Sequence, residues 1–484
     1  MKLERLIEGC KTLSYNSLDI DVRSLTFDSR AVEQGSCFFA IVGSVSDGHN
    51  YIEQAIDRGA KVVVCERMVG ETHEGVSYVV VEDANKAMGE MACRFYGDPS
   101  RELKLVGVTG TNGKTTTATM LADLFEELGY ATGLISTVTY RIDGEEFNST
   151  HTTPDAIRLN SMLREMVDRG CEYCFMEVSS HAVVQNRIGG LEFAGGLFSN
   201  LTHDHLDYHG TFAEYIKAKK LFFDGLPKSA FALVNVDDRN GEVMVQNCRA
   251  QVARYSLRSV ADFRAKVIEM HLDGMLMQLC GEEIWVQILG RFNAYNILAV
   301  YSTAILLGAK KTDVLVALSR LKAVNGRFEH FAAEGGRTII IDYAHTPDAL
   351  KNVLTTINEI RQGGQNLTTV CGCGGDRDST KRAEMARIAY ENSTMAIFTS
   401  DNPRHENPEE ILRQMIEGVQ GMKRWIKITD RAEAIRTAVM MSKEGEIILI
   451  AGKGHETYQI IGDERVHFDD REVAGEAIAQ YLGQ

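Results

Sequence analysis

The stretch Gly107-Val-Thr-Gly-Thr-Asn-Gly-Lys-Thr-Thr-Thr117 decides the fold of the central part of this chain. It follows an apolar run typical of a buried strand and leads into a pattern of apolar residues typical of a helix. Gly110 and Gly113 let the backbone turn tightly enough to point its N–H groups at phosphate oxygens, and the helix N-terminus adds its positive dipole end. Lys114 supplies a charge for the β/γ-phosphates and Thr115 a hydroxyl for Mg²⁺. The stretch therefore predicts a phosphate-binding P-loop between a strand and a helix.

The loop departs from the strict Walker pattern in one place. That pattern has a glycine five residues before Gly113, where this chain has Val108, and the nearest glycine is Gly107. We therefore interpret the stretch as a variant P-loop, with a plain glycine turn as the alternative.

Length and charge restrict the class of protein. With 484 residues the chain is expected to form roughly two to four domains. Its 52 Lys and Arg residues against 67 Asp and Glu residues give a net charge of −15, which disfavours general nucleic-acid binding. No apolar run approaches the roughly 18–20 residues of a membrane span, and the first residues lack a signal peptide's apolar segment. We expect a soluble, cytoplasmic protein that has no membrane span; its protein partners are unknown.

The ten cysteines include two close pairs, Cys171/Cys174 and Cys371/Cys373. A zinc ribbon needs two CxxC pairs about 15–20 residues apart, whereas these pairs lie roughly 200 residues apart. We interpret all ten as reduced cysteines of the core or of strands.

The order of strand-like and helix-like segments predicts an α/β protein of three domains. Residues 1–98 form a small mixed α/β unit, which ends at a turn signal near Pro99. Residues 99–327 alternate short β-branched strands with helices, as in a nucleotide-binding parallel sheet. Residues 328–484 form a third, Rossmann-like unit. The predicted strands are Ser36–Val42, Lys61–Cys65 and Val76–Val81, then Leu105–Thr109, Tyr173–Val178, Gly196–Leu201 and Phe231–Val236, then Thr338–Asp342, Leu367–Cys371, Ala396–Ser400 and Ile447–Ala451.

Each strand of the third unit ends in a polar cluster. In an open parallel sheet, ligands bind outside the carboxyl ends of the strands, so four clusters on one edge predict a second ligand site. The clusters begin at Asp342, Gly372, Asp401 and Gly452.

Two segments of the central domain carry residue types that bind metals. Glu177 closes an apolar strand, where a carboxylate is costly unless it is paired or binds a cation, so it fits an Mg²⁺ ligand beside a P-loop. A salt-bridged core glutamate is the alternative. Residues 202–209 contain three histidines, of which we favour His205 as an Mg²⁺ ligand. A binuclear metallohydrolase is the alternative there, although its motif has Asp and His adjacent, whereas Tyr208 separates Asp207 from His209.

Lys219 lies within an apolar stripe. On a helix it shares one face with Phe212, Tyr215 and Phe222, at spacings of three and four. Burial of an ammonium favours the neutral amine, which can react with carbon dioxide to give a carbamate, a metal-binding anion. Snorkelling of the side chain to the surface is the equal alternative.

Four motifs, in this order, resemble those of the Mur ligases, which are ATP-dependent amide-forming enzymes of peptidoglycan synthesis. The resemblance covers essentially the whole chain. It implies an enzyme that adds the third residue of the stem peptide to UDP-MurNAc-L-Ala-D-Glu through an acyl phosphate. The motifs are Gly110–Thr116, Glu177-Val-Ser-Ser-His181, Asn200-Leu-Thr-His-Asp-His-Leu-Asp207 and Gly290-Arg-Phe-Asn-Ala-Tyr-Asn296.

The resemblance also implies roles for single residues. The first domain would be the UDP-binding lobe. Position 151 varies in the family, so the role of His151 stays open. Lys219 matches the family's carbamylated lysine, and Lys114, Glu177, His205 and Lys219 form the catalytic set. ATP would be bound by Gly110, Thr111, Asn112, Gly113, Lys114, Thr115, Thr116, Asn293, Asn296, Arg327 and Asp342. The metal would be bound by Thr115, Glu177, His205 and the carbamate of Lys219. The UDP-MurNAc-dipeptide would contact Ser29, Thr152, Thr153, Ser179, Gln185 and Arg187.

The third domain would select the amino acid. Asp401-Asn-Pro-Arg404 is the pattern of family members that add meso-diaminopimelate, whose far end carries a carboxylate that arginine can bind with two hydrogen bonds. Lysine carries only an ammonium there, which Arg404 would repel. The implied amino-acid site comprises Arg377, Asp401, Asn402, Pro403, Arg404, Gly452 and Glu456. A lysine-adding ligase of the same family, a folate-type polyglutamate synthase and a non-catalytic nucleotide-binding homologue are the alternatives.

Overall fold

Three α/β units follow one another along the chain, each built on its own sheet, as the sequence predicted. The structure is a computed structural model that describes residues 1–43, 46–149, 151–202, 206–361 and 363–481. The predicted domain boundaries at 98/99 and 327/328 stay predictions.

The first unit is a five-stranded sheet in the order β1-β5-β4-β3-β2, in which only β1 is antiparallel to its neighbour. Helix α3 begins at Ala84 because the Asp83 side chain accepts a hydrogen bond from the Lys86 N–H. The elements are α1 Leu3–Leu6, β1 Thr12–Tyr15, β2 Ser24–Thr26, β3 Ser36–Phe39, α2 Ile52–Asp57, β4 Val62–Cys65, β5 Ser77–Val81 and α3 Ala84–Phe95, with 3₁₀ turns at Ser29–Ala31, Gly48–Tyr51 and Pro99–Arg101.

The central unit is an eleven-stranded mixed sheet in the order β16-β15-β14-β13-β12-β11-β6-β10-β7-β8-β9. The strands from β14 to β7 are parallel, as predicted, whereas β15 and β16 at one edge and β8 and β9 at the other are antiparallel and were not predicted. The strands are β6 Lys104–Thr109, β7 Thr132–Ile135, β8 Thr139–Ile142, β9 Glu145–Asn148, β10 Tyr173–Glu177, β11 Gly195–Phe198, β12 Phe231–Asn235, β13 Gln251–Ser256, β14 Phe263–His271, β15 Gly274–Leu279 and β16 Glu282–Val286.

Helices cover both faces of the central sheet. Successive side chains of a strand point to opposite faces, so Leu105 and Val106 of β6 enter different cores, one with Phe222 and the other with Leu121. A Cβ on Gly107 would lie 2.6 Å from the Phe222 ring, so this glycine lets a helix approach the strand. The helices are α4 Lys114–Glu127, α5 Ala156–Asp168, α6 Ser180–Val184, α7 Leu206–His209, α8 Phe212–Asp224, α9 Gly241–Met244, α10 Arg291–Leu306 and α11 Lys311–Arg320.

The third unit is a six-stranded sheet in the order β17-β18-β22-β19-β20-β21, in which only the edge strand β17 is antiparallel. A hairpin of β23 and β24 lies beside it. The elements are β17 Glu329–Ala333, β18 Arg337–Asp342, α12 Pro347–Ile360, β19 Leu367–Cys371, α13 Arg382–Asn392, β20 Met395–Phe398, α14 Pro408–Glu417, β21 Trp425–Lys427, α15 Arg431–Met441, β22 Ile447–Ala451, β23 Tyr458–Ile461, β24 Glu464–His467 and α16 Asp470–Tyr481, with a 3₁₀ turn at Glu334–Gly336.

The state of the cysteines and the length of the helices can be compared with the predictions made from composition. All ten cysteines lie in the described part of the chain and none forms a disulfide; seven are buried, whereas Cys10, Cys248 and Cys280 are half-buried and lie outside the strands, so the core-or-strand prediction is wrong for these three. Within the described ranges, no helix is both long and apolar enough to cross a bilayer.

Candidate active site

The predicted P-loop joins β6 to α4 at the carboxyl edge of the central sheet. Gly110 has φ 149°, and a Cβ there would lie 2.0 Å from the Ser199 hydroxyl, so the loop requires glycine. Gly113 precedes α4 with φ 86°. The Ser199 hydroxyl and the Asn200 amide, which follow β11, both donate to the Asn112 carbonyl at 2.6 and 3.0 Å. The loop is therefore fixed against the neighbouring strand, with the first N–H groups of α4 at its end.

Gly107 is not part of this loop. It lies inside β6 under the Phe222 ring, so it does not stand in for the glycine that the strict Walker pattern has at the position of Val108. The phosphate loop starts at Gly110. Within it, the Lys114 ammonium donates to the Gly110 and Thr111 carbonyls at 3.1 and 2.9 Å. Thr111 and Thr116 are buried and line the same cavity as Lys114.

Glu177 ends β10 beside the P-loop helix and is 1% exposed. Its Oε1 accepts hydrogen bonds from the Thr115 hydroxyl at 2.8 Å and from the Thr137 N–H at 2.7 Å. Its Oε2 is buried and accepts no hydrogen bond within the described part of the chain. A buried carboxylate oxygen without a partner, next to a threonine hydroxyl, fits the hard oxygen ligands that Mg²⁺ prefers. No cation lies close enough to make Glu177 the salt-bridged core glutamate of the alternative, again among the described residues.

Lys219 lies on α8 and is 1% exposed, so its side chain does not snorkel to the surface. Its Nζ donates to the Gly110 carbonyl at 2.8 Å and lies 4.8 Å from the centre of the Tyr215 ring. The neighbouring lysines behave differently, since Lys217 is exposed and Lys220 pairs with Asp224. Of these three lysines, only Lys219 is fully buried, and its side chain lines the P-loop cavity.

His205 lies outside the described residues, and so do His203 and Asp204. Its assignment to Mg²⁺, like the metallohydrolase alternative for residues 202–209, therefore stays a prediction. Of the rest of that segment, the His209 imidazole contacts the Ser180 hydroxyl at 2.8 Å. No cluster of three or more metal-ligating residues is formed by the described residues alone.

The two asparagines of α10 differ in position. Asn296 lines the cavity and its amide oxygen accepts from the Thr117 hydroxyl at 3.3 Å, which ties α10 to the P-loop helix. Asn293 is 1% exposed and donates to the Leu289 carbonyl of its own helix region at 2.7 Å, while its oxygen accepts from Asn296 at 2.9 Å. In this structure Asn293 therefore orients Asn296, and a direct contact of Asn293 with adenine stays a prediction.

Arg327 and Asp342 connect the third sheet to the P-loop. The Arg327 guanidinium donates to the Thr115 hydroxyl at 3.1 Å and lies 4.5 Å from the centre of the Tyr343 ring. Asp342 ends β18, and its carboxylate accepts from the Phe328 and Ala344 N–H groups at 2.6 and 2.7 Å. Burial raises the pKa of Asp342 to about 6, although Arg327 and these two N–H groups act in the opposite direction. Asp342 therefore holds the segment that carries Arg327.

The residues predicted to bind the muramoyl dipeptide are mostly connected to one another. Thr153 donates to the Glu177 carbonyl at 2.8 Å, and Arg187 donates to the Thr153 carbonyl at 2.7 Å and to the Gln185 oxygen. Burial lowers the pKa of Arg187. Ser179 caps α6 by accepting from the Ala182 N–H at 3.2 Å. His151, Thr152, Thr153, Ser179 and Arg187 all line the P-loop cavity.

Ser29 lies apart from this group. It sits on the first 3₁₀ turn, where its hydroxyl donates to Gln54 at 2.8 Å. Its predicted contact with the UDP part of the substrate would place the two ends of that substrate on different units of the chain.

The predicted amino-acid site lies at the carboxyl ends of β20 and β22. Asp401 and Gly452 pack closely against each other in this site, since a Cβ on Gly452 would lie 2.5 Å from the Asp401 carboxylate. Burial would raise the pKa of Asp401, but Lys453 and Arg431 hold it below its ordinary value. The Asn402 amide donates to the Glu456 carboxylate at 2.8 Å. Glu456 thus faces the cleft as an oriented carboxylate.

The two predicted arginines stand on adjacent loops. Arg404 is partly buried, follows Pro403 and donates from Nη1 to the Gly375 carbonyl at 2.8 Å. Arg377 lies on the loop after β19 and donates to the Asp376 carbonyl at 3.0 Å. Both line a cavity of about 850 Å³ together with Asp401, Asn402, Gly452 and Glu456.

The two cavities form one cleft. The P-loop cavity, of about 590 Å³, and the amino-acid cavity share Thr152, His181, Tyr343, Arg377 and Glu456 among their walls. A ligand bound at the P-loop can therefore meet one bound beside Arg377 and Arg404 without passing through protein.

Sequence reasoning missed several residues of this cleft. Asn112 donates across to Asp348 on α12 at 2.9 Å. Lys453 has no exposed side-chain area and donates to Asn402 at 2.9 Å and to Glu456 at 3.1 Å. The Gly452–Glu456 cluster was singled out as a strand-end motif, but nothing in its composition shows that its lysine turns inward.

Comparison with known proteins identifies one family along the chain. Three profiles of one family match in order, described as "Mur ligase family, catalytic domain" over residues 21–96, "Mur ligase middle domain" over 108–304 and "Mur ligase, glutamate ligase domain" over 326–454. A UDP-N-acetylmuramoyl-L-alanyl-D-glutamate–2,6-diaminopimelate ligase of Phocaeicola vulgatus is 53% identical over 485 residues, covering 99% of this chain and 100% of that protein. The enzyme of the same name from Geobacillus kaustophilus is 42% identical over 95% of each chain.

A solved structure of a UDP-N-acetylmuramoyl-L-alanyl-D-glutamate–2,6-diaminopimelate ligase has the same architecture. It is 31% identical, covers 99% of both chains and superposes with a TM-score of 0.72. The three-unit α/β fold is therefore shared from end to end. The chain belongs to the Mur ligase family.

Proposed function

We propose that this chain is the ATP-dependent ligase that joins meso-diaminopimelate to the D-Glu carboxylate of UDP-MurNAc-L-Ala-D-Glu in peptidoglycan precursor synthesis. One observation supports this most strongly: the P-loop and the two arginine-bearing strand ends of the third sheet open into the same cleft. The relatives whose names state this reaction match the chain over nearly its full length.

In the first step the D-Glu carboxylate attacks the γ-phosphorus of ATP, forming an acyl phosphate and releasing ADP. Both reactants are anions, so the main task of the protein is to neutralise charge and to align the two groups. Lys114 and the N–H groups at the start of α4 would bind the phosphates. Arg327, which already contacts Thr115 at 3.1 Å, brings a fixed positive charge to the same place.

Mg²⁺ would be held by Thr115, Glu177, His205 and a carbamate on Lys219. The buried Oε2 of Glu177, which has no hydrogen-bond partner in the described chain, supports this assignment. When bound, the ion would offset the negative charge of the phosphate oxygens. The chain's own part is to orient the Glu177 carboxylate, through Thr115 and the Thr137 N–H.

In the second step the free amine of the amino acid attacks the acyl carbon. The tetrahedral intermediate loses inorganic phosphate and a proton to give the amide. No covalent enzyme intermediate is needed. The amine must arrive from the third sheet and the carboxylate from the central one, so closure near residues 323–328 would shield the acyl phosphate from water.

The enzyme would recognise its amino-acid substrate by the groups at the far end of the molecule. Meso-diaminopimelate carries both an ammonium and a carboxylate there. Glu456 would pair with the ammonium, while Arg404 and Arg377 would bind the carboxylate. Lysine has no such carboxylate, so it would leave the two arginines unpaired beside its own ammonium.

A carbamate on Lys219 would convert a buried cation into a metal-binding anion. The neutral amine adds to carbon dioxide, forming an N–C bond and releasing one proton. Burial to 1% exposure and contact with the P-loop carbonyl support this proposal. In the variant Lys219→Ala, activity should be lost and then partly restored by small carboxylates such as acetate. A fully active Lys219→Ala enzyme would exclude the role.

We assign the domains 1–98, 99–327 and 328–484 to UDP-MurNAc binding, ATP binding and amino-acid binding. Because the substrates are ATP and a UDP-linked precursor, we place the enzyme in the cytoplasm. The lysine-adding ligase of the same family and a non-catalytic homologue are the alternatives that the tests must separate.

The variant Arg404→Ala tests the assignment of the amino-acid site. It should weaken the use of meso-diaminopimelate by about a hundredfold, the scale of a lost charged hydrogen-bond pair, while ATP binding stays intact. Arg413→Ala is the matched control, since Arg413 is an exposed arginine of the same unit. Loss of ATP binding in Arg404→Ala, measured by calorimetry, would contradict the assignment.

A further inference from the structure

Two adjacent loops carry the arginines that the proposed function assigns to the far carboxylate of the amino acid. The first, residues 374–378, follows β19 and carries Arg377. The second, residues 401–406, follows β20 and carries Arg404. We call these two segments the arginine loops.

The arginine loops are joined by one backbone hydrogen bond and by one hydrogen bond from the Arg404 side chain. The Gly375 N–H donates to the Asn402 carbonyl at 2.9 Å, and Arg404 donates back to the Gly375 carbonyl at 2.8 Å. A Cβ on Gly375 would lie 1.9 Å from the Pro403 carbonyl oxygen, so only glycine allows this approach. A shift of one loop must therefore shift the other.

Both arginine loops contain a residue in a strained conformation. Asp376, directly before Arg377, and Arg404 itself both have φ 51°, in the left-handed region. Such a conformation is unfavourable for a non-glycine residue and persists only where surrounding contacts enforce it. Some group must therefore hold these two backbones in place.

Two sets of contacts hold these backbones: the Arg404 backbone is hydrogen-bonded to Ile460 and Gly462 of the β23–β24 hairpin, and the Arg382–Glu406 pair contacts both arginine loops. Arg382, at the start of α13, is 1% exposed and binds the Glu406 carboxylate through two hydrogen bonds of 2.8 Å. The same guanidinium donates to the Gly374 carbonyl at 3.2 Å. Glu406 in turn accepts from the Asp376 N–H at 2.5 Å. One ion pair thus contacts both arginine loops and one of the two strained residues directly.

A second link between the loops is exposed. The His405 imidazole contacts the Asp376 carboxylate at 2.9 Å and Asp463 at 3.1 Å, and its side chain is 62% exposed. Solvent-exposed pairs contribute little to stability. In the Arg382–Glu406 pair the arginine is buried and the glutamate side chain is 31% exposed, so this pair is the stronger restraint.

We propose that the Arg382–Glu406 ion pair is a positioning element that sets the selectivity of the site for an amino acid with a far carboxylate. Neither residue lines the amino-acid cavity. They act by fixing the separation and direction of Arg377 and Arg404, whose guanidinium groups must meet one carboxylate together. This inference rests on the proposed function of those two arginines.

Glu406→Gln is the most direct test. It keeps the shape of the side chain but places an NH₂ group opposite the Arg382 guanidinium, so one of the two hydrogen bonds is lost. The exposed residue Glu417, which pairs with Arg413 on α14, gives the matched control Glu417→Gln. The readout is the ratio of kcat/KM for meso-diaminopimelate to that for L-lysine, with KM for ATP measured in parallel.

This ratio separates positioning from folding. A partly unfolded preparation lowers both kcat/KM values equally, so their ratio does not change. We expect Glu406→Gln to lower the ratio about ten- to hundredfold, the scale of a misplaced binding group, and to leave KM for ATP within about twofold. Glu417→Gln should leave the ratio within about twofold of wild type.

Arg382→Lys provides an independent second variant. It keeps the charge but loses the planar fork that contacts Glu406 and Gly374 at once, so it should lower the ratio in the same direction. A ratio within twofold of wild type in both variants would overturn the positioning role. A wild-type enzyme that has no preference for meso-diaminopimelate would instead overturn the proposed function on which this inference rests.

Discussion

The buried ion pair between Arg431 and Asp470 gives the sharpest stability prediction. Both side chains have no exposed area, and two hydrogen bonds of 2.7 Å join them. Arg431 also donates to the Ala451 carbonyl at 3.2 Å, at the end of β22. Burial alone would lower the pKa of Arg431, but Asp470 more than offsets this and raises it. The pair joins the start of α15 to the start of α16 under the amino-acid site.

The variant Asp470→Asn leaves a buried guanidinium without its counter-charge. Two charge-assisted hydrogen bonds contribute about 1.5–3 kcal/mol each, and breaking a buried pair from one side costs about 3–5 kcal/mol. We therefore expect the free energy of unfolding to fall by about 3–5 kcal/mol. The double variant Arg431→Met with Asp470→Leu removes both charges, so it should lose less than the sum of the two single losses.

The chain's two tryptophans make the assay specific. Trp425 lies on β21 of the third sheet and Trp285 on β16 of the central sheet. In a Trp285→Phe background, urea unfolding followed by tryptophan fluorescence reports the third unit alone. Glu417→Gln, which breaks an exposed ion pair, should change the unfolding free energy by less than about 1 kcal/mol. A loss below about 1 kcal/mol for Asp470→Asn as well would refute the reasoning.

Three further predictions concern the P-loop side of the cleft. Glu177→Gln should lower kcat at least about a hundredfold, seen in phosphate release, because it removes a carboxylate oxygen proposed to bind Mg²⁺ beside the phosphates. Lys219→Met should be as stable as wild type in thermal unfolding but inactive, because it removes a buried amine rather than a core contact; strong destabilisation would contradict this. Asp342 has a pKa raised from 3.8 to about 6, so its contribution to stability is largest below about pH 4 and is lost as the pH rises through 6. The stability of wild type relative to Asp342→Asn should therefore fall by about 3 kcal/mol over that interval in urea titrations, and a flat difference would contradict it.

Much of the fold followed from local signals. Strands such as Leu367–Cys371 and Ile447–Ala451 have the predicted bounds, because a short run of apolar and β-branched residues that ends in a polar cluster is typical of a buried strand. The antiparallel edges were missed for a related reason. Strands such as Glu145–Asn148 and Glu282–Val286 are largely exposed, so their sequences lack the apolar pattern that marks a buried strand.

Residues of the site were likewise predicted where their signal is local in sequence and missed where it is not. The P-loop was predicted because its turn, charge and hydroxyl are contiguous in sequence. Arg382–Glu406 and Arg431–Asp470 were not predicted, because a buried arginine has no sequence signal that separates it from an exposed one, and their partners lie 24 and 39 residues away. The role of Gly107 was also misjudged. A glycine before a phosphate loop is typical of a phosphate contact, and only the packing of Phe222 shows its use in the sheet.

Product formation tests the central claim most directly. Phosphate release would be measured with ATP, Mg²⁺ and UDP-MurNAc-L-Ala-D-Glu, with meso-diaminopimelate or L-lysine added in parallel, and the mass of each product determined. Turnover with meso-diaminopimelate alone, giving the tripeptide mass, is the predicted result. Turnover with lysine would keep the ligase but contradict the role of Arg404, and no turnover with either amino acid would contradict the proposed reaction itself.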